Sequence, residues 1–228
     1  MIQKSHTFYS FQKKSSKDCI IEMVGPPGVG KSYLCDLLKQ NYKAKKKFFT
    51  KDRFNFELSD FEKQLLSKVY KNDLLKESYS FHTKSRINKL FSLIEQERII
   101  SNYNGIKLWD EGFVYYYKHY LRENLLDFPE TVDTIFKKRL IINIVDEPEN
   151  IYKKVKLREK QTGRLHISHK INDKQQIIQN TKRIIQKNFD FIEMFEHRYP
   201  NQVFTFNSSD NYEKQFNMLC AFLDSKMD

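Results

Sequence analysis

The chain has 228 residues, enough for one large α/β domain or a domain with an inserted helical part. Apolar residues make up 39% and aromatics 14%, and the charges are spread rather than blocked, which excludes wholesale disorder. Forty Lys+Arg against 29 Asp+Glu leave a formal charge of +11, which reads two ways: an anionic partner, or the lysine-rich usage of AT-rich coding DNA.

Cys19, Cys35 and Cys220 are far apart and odd in number, with neither metal-ligand nor disulfide spacing, and they suit a reducing, cytoplasmic setting. Residues 1–18 read as a polar arm without the apolar run of a secretory signal. No segment reaches the roughly 18 consecutive apolar residues of a spanning helix.

In chain order, 19–24 reads as a short buried strand, and 31–42 as a helix with Leu34, Leu37 and Leu38 on one face. A second strand is expected at 47–50, followed by purely helical patterns over 58–102 that Gly105 closes. A third strand at 106–109 ends in Asp110-Glu111-Gly112. Helices are expected at 114–124 and 130–138, and a clear buried strand at 140–145. Pro148 opens the next helix, which runs to about 160. A long helix at 173–198, a strand at 202–206 and a helix at 212–223 complete the chain. Strands alternating with helices predict a parallel, three-layer α/β sheet.

The most specific feature is Gly25-Pro26-Pro27-Gly28-Val29-Gly30-Lys31-Ser32, a full match to G-x-x-x-x-G-K-[ST] between a strand and a helix. Glycines let the loop turn its N–H groups inward onto phosphate oxygens, and the helix start adds partial positive charge. Lys31 then reaches the β- and γ-phosphates of ATP or GTP, and the Ser32 hydroxyl ligates Mg²⁺.

Asp110 stands at the carboxyl end of a strand, where a carboxylate can hold Mg²⁺ through water. Glu111 beside it either orients or deprotonates an acceptor, or is a bystander. Arg158 and Arg164 flank a turn at Gly163, as mobile arginines that close over a γ-phosphate or as a solvated basic helix end. His166 and His169 lack a third ligand nearby and read as surface or substrate-contacting residues. Residues 48–56 mix aromatics with charge, which suits either an acceptor face or an apolar anchor for the helical insert. Tyr115, Tyr116, Tyr117 and Tyr120 read as helix packing.

This order of motifs resembles the thymidylate kinase-like and broader nucleoside/nucleotide kinase family of P-loop proteins, over nearly all of 19–223. The resemblance implies a three-layer α/β/α P-loop NTPase fold, with a five-stranded parallel sheet of order 2-3-1-4-5 and a helical acceptor-side insert. It implies one kinase domain over 19–228, with 50–104 as the acceptor region and 153–170 as a lid. Position by position, Asp52 and Arg53 fall on the acceptor motif, and Arg86 or Arg98 on the acceptor's phosphate. Arg158 and Arg164 fall on the lid, and the loop with Tyr33 and Asn207 on the nucleotide. Glu111 stands where that family carries an arginine.

The expected activity is transfer of the γ-phosphoryl of ATP, with Mg²⁺, to a small nucleoside, nucleotide or sugar-type acceptor. A 5′-hydroxyl polynucleotide kinase, favoured by the basic cluster over 43–53, and a nucleotide-dependent binding module are the rival readings. Oligomeric state is left open, a homodimer among the options.

Overall fold

The computed structural model describes residues 7–12, 18–48, 57–71, 81–124, 126–163 and 173–227, and of 7, 48 and 81–87 the backbone alone. The elements are β1 (Thr7–Ser10), β2 (Cys19–Val24), α1 (Lys31–Asn41), β3 (Lys45–Phe48), α2 (Asp60–Val69), α3 (Phe81–Ser101) and β4 (Ile106–Trp109). They continue as α4 (Phe113–Asn124), α5 (Pro129–Lys137), β5 (Arg139–Val145), α6 (Pro148–Thr162), α7 (Lys174–Arg198), β6 (Val203–Asn207) and α8 (Tyr212–Met227).

One sheet of order β3-β1-β4-β2-β5-β6 runs through the molecule. Its central strand, β2, pairs parallel with β4 and β5, and β5 pairs parallel with β6. The expected order of the five strands is kept, with one correction. The sheet has six strands and is mixed, because Thr7–Ser10 inserts between β3 and β4, antiparallel to both. Those residues, read from the sequence as polar arm, hold Phe8 buried against Tyr103, ring centroids 5.1 Å apart. Just beyond them Phe11 stacks on Tyr42 at 4.6 Å. Two buried aromatics and two ladders repay the ordering of a four-residue strand that its hydroxyl-rich flanks conceal.

Alternation along β2 feeds two cores. Ile20 and Val24 face the layer built by α2, α3, α4, α5 and α7, while Ile21 and Met23 face that of α1, α6 and α8. Between Ile20 and Val24 stands Glu22, fully buried, whose Oε1 accepts from Arg139 Nε at 2.8 Å. Arg139, also fully buried, donates a second bond to Glu97 of α3. A triad of two acids and one guanidinium is thus set among apolar side chains, and it joins β2, β5 and α3.

The helical region before β4 is positioned by charge as well as packing. Ser59 and Glu62 form a capping box at the start of α2. Arg98 of α3 reaches across to the same carboxylate, with Nε 2.6 Å from Glu62 Oε1. Among the described residues, no helix is long and apolar enough to cross a membrane.

Candidate nucleotide and phosphoryl-transfer site

The loop over 25–32 leaves the carboxyl end of β2 and enters α1, whose N-cap is Gly30 with no side-chain cap and whose first turn carries no acid. The amides of that turn therefore lack an intrahelical acceptor, and the turn brings no acid of its own to compete for them. Gly28 and Gly30 both have positive φ, +86° and +113°. At Gly28 the requirement is double, since a Cβ there would also lie 2.2 Å from Val155 Cγ2 on α6.

Lys31 is only 6% exposed and folds back over its own loop. Its ammonium donates to the carbonyls of Gly25 and Pro26, at 3.1 and 3.2 Å, and lies 3.7 Å from Glu111 Oε1 and 4.8 Å from the Tyr115 ring centroid. Burial pulls its pKa below the ordinary lysine value, with Glu111 and Asp110 partly offsetting the shift. Ser32 Oγ donates to Asp110 Oδ2 at 3.5 Å, across 78 positions of sequence. Burial, then the neighbouring Glu111, raises the Asp110 pKa.

The second oxygen of Asp110 is buried without a partner. An orphaned carboxylate oxygen beside a serine hydroxyl fits a hard divalent cation. Among the described residues no group of three or more His, Cys, Asp or Glu is placed to hold a metal ion.

Glu22 was missed by the sequence reading, and it sets this geometry. Its Oε2 accepts the amides of Val114 and Tyr115 at 3.0 and 3.3 Å, so a carboxylate from the loop strand caps α4. Gly112 passes so close that a Cβ would lie 2.6 Å from the Glu22 carboxyl carbon. The turn bearing Asp110 and Glu111 is thereby held on its carboxyl side. The only signal in the sequence was an acid inside an apolar strand.

A cavity of about 1070 Å³ opens over the loop. Its lining includes Lys31, Ser32, Tyr33 and Glu111, then Lys154, Arg158 and Thr162 of α6, and Phe206, Ser208 and Tyr212. Lys154, Arg158 and Thr162 recur every four residues, so α6 presents one polar stripe to the cavity. Asp146, at the end of β5, anchors that stripe. It accepts from Lys154, from Ser208 at 2.9 Å and from Ser209 at 2.8 Å. Burial would push its pKa up, but the bonds from Lys154, Ser209, Ser208 and Asn150 outweigh this and hold it at about 2.

Not every expected site residue joins this group. Arg158 faces the cavity with an exposed side chain. Asn207 instead turns its Oδ1 to the Ser209 amide at 3.1 Å, and Ser208 takes the place on the wall. Arg98, expected at an acceptor phosphate, is occupied by Glu62 and by the Glu57 carbonyl at 3.1 Å. Arg86 lies on α3, where only the backbone is described. Asp52, Arg53, Arg164, His166 and His169 lie outside the described residues.

The sheet order, the loop between β2 and α1 and the acid after β4 define a P-loop α/β fold. No protein-family model and no curated protein matches the sequence. Among solved structures, the chain is similar to deoxyadenosine kinase from M. mycoides with bound dATP, at 13% identity and a TM-score of 0.49. The same kinase with bound dCTP aligns at 14% and 0.44, and with the products dCMP and a flexible dCDP at 14% and 0.47. Each alignment covers 90% of this chain and 99% of the other. At such identity the likeness is one of fold.

Proposed function

We propose that this chain is an ATP-dependent, Mg²⁺-requiring phosphotransferase that moves a γ-phosphoryl group to a small acceptor of the nucleoside, nucleotide or sugar type. The observation that carries this reading is the convergence of two segments far apart in sequence: Lys31, Ser32 and Glu111 line one cavity, Lys31 pairs with Glu111, and Ser32 donates to Asp110 beside it. A simple glycine turn would need neither the buried lysine nor the orphaned acid.

In this reading the loop amides and Lys31 hold the phosphates, with Ser32 and Asp110 holding the cation. A divalent cation there supplies charge neutralisation on the phosphate oxygens. Glu111, 43% exposed at the cavity mouth, is placed to accept the acceptor's proton. Arg158, on a helix packed directly against the loop, offsets charge that builds on the transferring group. Residues 19–228 act as one domain, with 50–104 as the acceptor region and 153–170 as the lid. Catalysis is then positioning plus electrostatics, with no covalent intermediate.

The polynucleotide reading gains nothing from the fold. Lys45, Lys46 and Lys47 form β3, the edge strand, three strands from β2 and so about 14 Å away at normal strand spacing. There, lysines also serve to guard an open sheet edge.

The test is transfer of labelled γ-phosphate from ATP to a panel of nucleosides, nucleotides, sugars and a 5′-hydroxyl oligonucleotide, with Mg²⁺ titrated for wild type and Asp110→Asn. Labelling of a small acceptor, with the variant needing more Mg²⁺, supports the reading. Superimposable titrations would place the metal acid elsewhere, and labelling of the oligonucleotide alone would replace the acceptor class.

A further inference from the structure

The Lys31 ammonium donates to the Gly25 and Pro26 carbonyls, and its charge is paired with Glu111, whose Oε1 lies 3.7 Å away. Any polyphosphate that draws on Lys31 therefore competes with Glu111 for it. It also leaves a carboxylate facing phosphate oxygens, an arrangement of like charges that needs a second holder for Glu111.

That holder is present. Glu111 Oε2, the oxygen turned away from Lys31, accepts from the Tyr116 hydroxyl at 3.0 Å. The same hydroxyl lies 2.6 Å from Lys89 Nζ on α3. The bond directions are fixed by chemistry: an ammonium only donates, a carboxylate only accepts, and the tyrosine hydroxyl does one of each. The result is a chain of four polar side chains, Lys89 to Tyr116 to Glu111 to Lys31, from the acceptor-side helices to the loop. Tyr116 is half-buried and its ring lies 4.9 Å from that of Tyr115, so its hydroxyl is held in place by packing as well.

We infer that Tyr116, backed by Lys89, is a positioning residue that holds Glu111 when a polyphosphate takes Lys31, so that α3 and α4 set nucleotide affinity through Glu111. The inference rests on the proposed nucleotide reading of the loop but not on the identity of the acceptor. By linkage, whatever engages Lys89 from the acceptor side changes nucleotide binding, and the converse holds equally.

The experiment is calorimetric binding of the non-hydrolysable analogue AMP-PNP with Mg²⁺ to wild type, Glu111→Gln, Tyr116→Phe and the double variant. Tyr116→Phe keeps the ring, and Lys89→Met, which leaves the tyrosine intact, is the second route to the same loss. Tyr116→Phe and Lys89→Met should each weaken binding by about threefold or more, the scale of a partly exposed charged contact. Glu111→Gln should bind at least as tightly as wild type, and adding Tyr116→Phe to it should change nothing further.

Equal weakening by Tyr116→Phe in both backgrounds, no weakening in wild type, or weaker binding by Glu111→Gln would each overturn the inference. The expected coupling, found in a protein that phosphorylates no acceptor, would sustain the inference while removing the kinase reading.

Discussion

Gly28 of the phosphate loop and Val155 of α6 are in such close approach that a single methyl group cannot be placed between them: a Cβ on Gly28 would fall 2.2 Å from Val155 Cγ2 and 3.4 Å from Ile151 Cγ2. The helix α6 is therefore seated on the loop itself, and its polar stripe and the loop line the same cavity.

Gly28→Ala should accordingly damage nucleotide binding and stability together. Overpacking costs about 1–3 kcal/mol, and the positive φ of this position adds strain. Adding Val155→Ala should recover part of the stability by vacating the overlap, though not the strain. Urea unfolding of the two single variants and the double reads this, and strictly additive losses would show that the contact is not the cause.

Arg139→Met tests the buried triad. It leaves Glu22 and Glu97 without their shared cation, and removing one partner of a buried pair typically costs about 3–5 kcal/mol. Because Glu22 also caps α4, Mg²⁺-dependent turnover should fall more steeply than the folded fraction. A variant as stable as wild type would mean that the triad does not hold the β2–α4 corner.

Asp146 makes a pH prediction. Its pKa is held at about 2 in the folded chain, against 3.8 ordinarily. A depressed carboxylate pKa stabilises the fold above the ordinary value, and the contribution is lost as pH falls from about 4 towards about 2. Asp146→Asn should therefore be less stable near neutrality and show a shallower loss of stability across that window. Parallel acid-unfolding curves for the two proteins would contradict it.

Arg158→Ala should lower turnover far more than ATP affinity, because the exposed guanidinium at the cavity is proposed to serve charge that develops during transfer. Single-turnover kinetics with separately measured binding distinguish the two. A change confined to affinity would make Arg158 a ground-state contact.

Much of this was legible in the sequence where the physics is local. The loop over 25–32 requires its glycines, lysine and serine at fixed spacing. The buried runs of β2, β4 and β5 carry their own signature, and Pro148 and Gly163 mark the ends of α6. What escaped depends on partners far along the chain. Thr7–Ser10 is too short and polar to declare itself, and becomes a strand only because β3 and β4 leave a slot. Glu22 was passed over inside a buried strand, because its partner Arg139 lies 117 residues on. Tyr116 read as packing, and its ring does pack, but its hydroxyl serves Glu111. Arg98 carried the right charge for an acceptor, and Glu62 claims it.

In the proposed reaction Lys31 stabilises the transferring phosphoryl group. The most direct measurement is the rate of γ-phosphate transfer from Mg²⁺-ATP by Lys31→Ala, beside wild type, with circular dichroism to verify folding. Loss of one such donor typically costs on the order of 10²–10³ in rate, so a folded variant with turnover reduced at least to that extent is the predicted result. A folded Lys31→Ala protein that transfers phosphate at close to the wild-type rate would contradict the account.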